Sequence, residues 1–268
     1  MPELPEVETV LRTLENQIKD CKISNVEVIY KKIIECSPNK FINSLKGQHF
    51  RNFKRRGKYL IFEMDTITLV SHLRMEGKYY ILDRSVPRDK HTHIVFTLDN
   101  RKELRYHDVR KFGRMYLIDK QDNYNDFFNL GPEPFDKTFC LNYCKEYFRN
   151  KKLPVKQILL RQEFVAGIGN IYANEILFAS CINPLKKVNC LKDDEIECLI
   201  RNTKKILKEA IKKGGTTIRS YTSSLGVTGR FQNKLNVHTQ SKCKICGSDI
   251  KKIYVSGRGT YYCPICQK

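Results

Sequence analysis

Four cysteines near the C-terminus, Cys243, Cys246, Cys263 and Cys266, constrain this 268-residue chain more than any other feature. Their spacing is C-x2-C-x16-C-x2-C, with which two knuckles deliver four thiolates to one zinc ion. Four thiolates fill a tetrahedron and leave no open position, so the ion, one Zn2+, is expected to be structural. A zinc ribbon over about 238–268 follows, held by metal because so short a segment cannot bury a sufficient core. The other seven cysteines, Cys21, Cys36, Cys140, Cys144, Cys181, Cys190 and Cys198, lack framework spacing and read as reduced packing residues. Glu3, Glu6 and Glu8 deny the N-terminus the layout of a secretory signal, and no run is long and apolar enough for a membrane span. A cytoplasmic location with no membrane partner is expected.

Lysine and arginine number 49 against 29 acidic residues, a formal net charge of +20 on a chain that is 41% hydrophobic. Such a charge repels itself and attracts polyanions, which makes nucleic acid the first partner to consider. An ordinary enzyme with a lysine-rich surface is the alternative, and composition does not separate the two.

Along the chain, Pro5 suits the first turn of a helix, where its missing N–H would be unpaired in any case. Val7, Val10, Leu11, Leu14 and Ile18 then recur at helical spacing, with Glu6 and Glu8 in the first turn. From about Ile23 to Ile118 the pattern turns to short β-branched and aromatic runs: Val26–Ile29, Tyr59–Met64, Ile67–Val70, Tyr79–Leu82, Ile94–Leu98 and Met115–Ile118. These predict an antiparallel sandwich or barrel, interrupted by one helix from Pro38 to Lys46 that Gly47 stops. Leu130-Gly131-Pro132-Glu133-Pro134 excludes regular structure and marks a hinge over 130–136. Helices are then expected over Thr138–Phe148, Pro154–Arg161, Asn170–Ser180 and Asp193–Lys213, the last capped by Asp193 and ended by Gly214-Gly215. The polar stretch from Thr216 to Gly229 is too long for an ordinary connection and reads as a lid.

The start of the chain carries chemistry. Methionine before proline is a good substrate for methionine removal, which would leave Pro2 as a secondary α-amine. With a pKa of about 7.7–8.0 against about 10.4 for lysine, far more of such an amine is neutral and nucleophilic at pH 7. Glu3 lies beside it and could serve as general acid, with Glu6 a second candidate. Both acids could equally do no more than cap the helix.

Further strings bear on that choice. P-E-L-P-E-V-E-T-V at 2–10, G-K-Y-L at 57–60, S-H-L-R-M-E-G at 71–77, D-V-R-K-F-G at 108–113 and L-G-P-E-P at 130–134 are followed by F-V-A-G-I-G-N-I-Y-A-N-E at 164–175, G-G-T-T at 214–217 and G-R-G-T-Y-Y-C-P-I-C at 257–266. In content and order this series resembles the bacterial formamidopyrimidine-DNA glycosylases, the MutM or 8-oxoguanine DNA glycosylase group, across nearly the whole chain. The resemblance implies base excision repair: excision of oxidised purines (8-oxoguanine, formamidopyrimidines) from double-stranded damaged DNA through a Schiff base on Pro2, then β,δ-elimination of the strand. Glu3 is implied as acid/base partner, Lys58 as a catalytic lysine beside a phosphate, and Glu6 as lining the lesion pocket. Met75, Arg110 and Phe112 match residues that fill the hole left by an extruded nucleotide. Two apolar wedges and a guanidinium facing the orphaned base suit that task. His72, Asn170 and Arg258 match DNA phosphate- and groove-contacting residues, Asn170 at the start of the second helix of a helix-two-turn-helix element, where the N–H groups of the G-I-G-N turn and the helix start suit an anion.

The chain departs from the resemblance just before the ribbon, where His238-Thr239-Gln240 stands in place of Tyr-Gly-Arg; His238 keeps one donor for a phosphate. The architecture expected is α+β: an N-terminal antiparallel β-sandwich flanked by helices (2–129), the hinge (130–136), a helical helix-two-turn-helix domain (137–229) and the zinc ribbon (238–268), acting as a monomer. Two rivals stand beside it. Endonuclease VIII, of the same fold, removes oxidised pyrimidines but differs at P-E-L-P-E and at Arg110-x-Phe112. A catalytically silent DNA-binding protein would use the ribbon and the G-I-G-N turn alone, leaving Pro2 and Glu3 without purpose.

Overall fold

A computed structural model describes residues 1–123, 127–216 and 229–268. Contacts divide the chain into two compact units, one of Met1–Phe128 with Gly214–Gly229, the other of Asn129–Lys213 with Arg230–Lys268.

The first unit opens with α1, Leu4–Ile18, whose Leu4, Val7, Val10, Leu11, Leu14 and Ile18 are all buried, as the helical spacing requires. Eight strands follow among the described residues: β1 Ile23–Val28, β2 Asn52–Arg56, β3 Tyr59–Glu63, β4 Ile67–His72, β5 Lys78–Asp83, β6 Thr92–Leu98, β7 Lys102–His107 and β8 Arg114–Asp119. They form two antiparallel four-stranded sheets, ordered β1-β6-β7-β5 and β2-β3-β4-β8. The sheets share one core, where Phe50 lies edge-on to Phe62 of β3 at 5.8 Å and to Phe96 of β6 at 6.4 Å. A short helix α2, Pro38–Leu45, inserts after β1; the Ser37 hydroxyl accepts the Lys40 N–H at its start and Gly47, at φ +90°, turns the chain back.

Two strands escaped the sequence patterning. β7 is Lys-Glu-Leu-Arg-Tyr-His, and its Glu103 and Arg105 are nonetheless buried because Arg105 Nε donates to Glu103 at 2.7 Å while its guanidinium also donates to the carbonyls of Pro87 and Val86. Mutual pairing lets ionised groups occupy positions that patterning reserves for apolar ones. β2, Asn-Phe-Lys-Arg-Arg, is an edge strand whose Lys54 meets Glu63 on β3 and whose Arg55 meets Glu8 on α1.

The second unit contains α3 Leu141–Phe148, the short α4 Val155–Leu159, α5 Asn170–Ala179 and α6 Asp193–Lys212, then the hairpin of β9 Lys251–Val255 and β10 Arg258–Tyr262. Several of the expected helix ends shift. α3 begins at Leu141 rather than Thr138, α4 covers only the middle of its expected span, and α6 is capped by Lys192 rather than Asp193. At that cap Glu195 folds back to accept the Lys192 N–H at 3.0 Å, so Asp193 enters the first turn, where the dipole still favours it. The 130–136 segment hydrogen-bonds into the turn before α5, Gly131 N to Gln162 O at 2.9 Å and Ala166 N to Pro132 O at 3.0 Å. The expected lid lies, but for Thr216 and Gly229, outside the described residues. Among the described residues no helix is long and apolar enough to cross a membrane.

Candidate active site and metal centre

At the head of α1 Pro2, Glu3 and Glu6 are all buried, while Met1 is 45% exposed. Glu6 joins two distant parts of the first unit. Its Oε2 accepts the Glu3 N–H at 2.9 Å, and its Oε1 accepts both the Thr216 N–H at 2.7 Å and the Thr216 hydroxyl at 3.1 Å. This approach requires Gly215: its φ is +79°, and a Cβ there would meet the Glu6 carboxylate at 2.5 Å. Glu6 is therefore both the cap that the sequence allowed and a tie to the G-G-T-T string, a role that spacing along the helix could not reveal.

Lys58 follows Gly57 at the turn between β2 and β3 and is buried to 5% exposure. Arg55 ties that turn to α1, its Nε donating to Glu8 at 2.8 Å and its Nη1 to the Gly57 carbonyl at 2.9 Å. His72, at the end of β4, is held neutral: burial, then Arg74, then Lys58 pull its pKa down to about 3. Its Nδ1 accepts the Arg74 N–H at 2.9 Å, so the neutral ring carries its proton on Nε2 as a donor.

Met75 is half-buried, and Phe112 is 47% exposed with the Arg110 guanidinium carbon 4.6 Å from its ring centre. Phe112 would ordinarily be read as core, so this exposure of a large aromatic is informative. The loop holds it out because the fully buried Asp108 carboxylate accepts the N–H groups of Arg110 at 3.0 Å, Phe112 at 2.9 Å and Gly113 at 2.8 Å.

In the second unit hydrogen bonds link α5, which begins at Asn170, to His238 and to the strand that begins at Arg258. The Asn170 side-chain amide donates to the Gly259 carbonyl at 2.9 Å, next to Arg258 at the start of β10. Arg258 follows a two-residue turn, Ser256-Gly257, with positive φ at both positions, which suits a tight hairpin. His238 is buried, and burial, then Lys156, draw its pKa down to about 4. Lys156 donates to the Asn174 side-chain oxygen, which orients that amide so that its Nδ2 donates to His238 Nδ1 at 2.7 Å. His238 thus also keeps Nε2–H as its donor. Glu175 fixes the preceding backbone, accepting N–H groups of Asn236, Val237 and His238 at 2.8, 3.0 and 2.9 Å. Lys156, Asn174, Glu175 and Asp108 were all missed by sequence reasoning, because each acts on groups far from it in sequence or on backbone.

The four cysteine sulfurs lie within 4.8 Å of one another, with Cys243 to Cys266 at 3.8 Å and Cys246 to Cys263 at 3.5 Å. A tetrahedron with Zn–S bonds of about 2.3 Å has edges of roughly 3.8 Å, so the donor set fits one zinc. Four thiolates would leave the ion no open position, so the role of zinc here is structural.

Family models match the chain in three blocks: the formamidopyrimidine-DNA glycosylase N-terminal domain at 1–115, the H2TH domain of the same proteins at 130–222, and the zinc finger found in FPG and IleRS at 240–268. The chain belongs to the formamidopyrimidine-DNA glycosylase family. Its relatives of that name include one from Listeria monocytogenes, 42% identical with both chains covered in full, and one from Bacillus cereus, 45% identical over 100% of this chain and 99% of the other. Among solved structures it is similar to the Lactococcus lactis Fpg (MutM) in complex with DNA containing N7-benzyl-Fapy-dG, at TM-score 0.94 and 43% identity over all of both chains. It is equally similar, at TM-score 0.94 and 43% identity over 99% of both chains, to the same protein with abasic-site DNA.

Proposed function

We propose that this protein is a base-excision-repair enzyme, a bifunctional DNA glycosylase/AP lyase that removes oxidised purines from double-stranded DNA. After removal of Met1, the Pro2 nitrogen attacks C1′ of an extruded nucleotide and displaces the base by breaking the C1′–N9 bond; Glu3 protonates the sugar ring oxygen, the C1′–O4′ bond opens to leave a C4′ hydroxyl, and C1′ becomes an iminium carbon. The resulting iminium has no N–H to lose, so its charge persists and withdraws electrons from C2′. Loss of the C2′ proton expels the 3′-phosphate, and a second elimination, assisted by Lys58, expels the 5′-phosphate.

The observation that carries this reading is the chain start: a proline and a glutamate buried at the head of α1, tied through Glu6 to the root of the 217–228 segment. It is supported by relatives named for the glycosylase and by neighbours bound to Fapy-dG and abasic-site DNA. Met75, Arg110 and Phe112 would occupy the vacated stack, and Lys58, His72, Asn170, His238 and Arg258 would hold the backbone. The enzyme would work as a monomer in the cytoplasm. Borohydride should trap a covalent complex between the mature protein and duplex DNA carrying 8-oxoguanine opposite cytosine. Protein that retains Met1, and so has an amide nitrogen at Pro2, should neither trap nor excise; full activity in that form would defeat the proposal. An oxidised-pyrimidine duplex run alongside should be the poorer substrate.

A further inference from the structure

The two loops that carry Met75 and the Arg110–Phe112 pair meet at one buried hydroxyl. Tyr106, in β7, is fully buried, its ring 5.2 Å from that of Tyr79. Its hydroxyl lies against Gly77, which closes the first loop by donating its N–H to the Leu73 carbonyl at 3.0 Å, and against Gly113, which closes the second. A Cβ at either glycine would overlap the Tyr106 oxygen. Neither has a positive φ, so close approach rather than backbone freedom is what demands glycine there. The same hydroxyl donates to Asp108 Oδ2 at 3.3 Å, the oxygen that also accepts the Phe112 and Gly113 N–H groups. His93 Nε2 anchors the Asp108 carbonyl at 2.8 Å from the other side. Each loop also contains a non-glycine residue in the left-handed region, Arg74 at +53° and Lys111 at +57°, a conformation that persists only where surrounding contacts impose it.

We infer that Tyr106 and Asp108 are positioning residues that lock the two wedge-bearing loops into one rigid unit, so that Met75, Arg110 and Phe112 enter the duplex together. The inference rests on the excision reading above. A wedge ordered in advance loses less conformational freedom on insertion, and the Tyr106 hydroxyl lies against the glycine of each loop while bonding to Asp108 in the second. Tyr106→Phe removes that bond while keeping the ring in its core position.

The test compares full-length wild-type and Tyr106→Phe protein on 8-oxoguanine in a fully paired duplex and on the same lesion inside a short unpaired bubble, where no stack has to be opened. Excision kcat should fall by about two- to tenfold more on the paired substrate than on the bubble, the size of one lost buried hydrogen bond expressed as a rate. The fluorescence rise of a 2-aminopurine beside the lesion, which reports unstacking, should slow in parallel. Equal losses on both substrates, or none, would overturn the inference, since a purely structural defect does not distinguish them. If Tyr106→Phe is too unstable to assay, Asp108→Asn, which alters the acceptor of the Tyr106 hydroxyl without adding an atom to either loop, must show the same substrate preference. Wild type that cuts neither substrate sinks the excision reading and this inference together, whereas active wild type with equal losses sinks this inference alone.

Discussion

His72 and His238 reach one electrostatic state in two different folds of the chain. Each is buried, each has a cation nearby, each accepts a hydrogen bond at Nδ1, and each is left with a neutral Nε2–H. A folded pKa below the unfolded value of about 6.5 means that the unfolded chain takes up protons first as pH falls, so stability declines below that pH. Each ring should contribute a loss of about 1.4 kcal/mol per pH unit down to its folded pKa. Urea unfolding of wild type, His72→Gln and His238→Gln at pH 7 and pH 5 checks this: both variants should show a shallower decline, and parallel lines would refute it. Neutrality also separates these residues from Arg258 in DNA binding. Arg258→Ala should weaken affinity and reduce the slope of log K against log salt by about one, because a phosphate loses its cation, whereas His72→Ala should weaken affinity with the slope unchanged. At this scale residue types were legible and partners were not. Glu6 could be read as a helix cap or a lesion-pocket group, but its bonds to Thr216 span 210 positions of sequence.

Among elements, those with regular apolar spacing were legible and those whose polar residues satisfy one another were not. α1 and the strands around Phe62 and Phe96 follow from periodicity, since a face that must be buried repeats with the helix or the pleat. β7 and β2 do not, because Glu103 with Arg105 and Arg55 with Glu8 place charge where patterning looks for hydrocarbon. The α6 cap shows the same limit on a smaller scale: either Lys192 or Asp193 could precede the first turn, and the return of Glu195 decided it. Glu195→Ala should therefore lower stability by about 1 kcal/mol, measured by urea unfolding, and Asp193→Ala by less. At the root of the 217–228 segment, Gly215→Ala combines a left-handed backbone with a Cβ directed into Glu6. A cost of about 1–3 kcal/mol is expected, with impaired lesion excision in the cleavage assay. Wild-type rates would show that the Glu6–Thr216 tie is incidental.

Over the whole molecule, the C-terminal residues do not stand alone. The Asn170 amide and the Asn174–His238 bond couple the ribbon and the segment before it to α5, and the Gln267 side chain donates to the Ile182 carbonyl at 2.9 Å. Cys246→Ser should thus abolish stoichiometric zinc, read by release of the ion on thiol modification, and also weaken DNA affinity by displacing Arg258 and Asn170. Zinc loss with unchanged affinity would contradict that coupling. The sequence by itself determined the zinc ligands, the family and the identity of the candidate nucleophile, because covalent position and ligand spacing are local properties that folding does not alter. Tertiary structure alone decided which side chains brace them: Tyr106 against two glycines, Asp108 beneath an exposed aromatic, Glu6 across to Thr216. Those pairings depend on close approach between segments remote in sequence, and packing in three dimensions is what brings such segments within a hydrogen bond of each other.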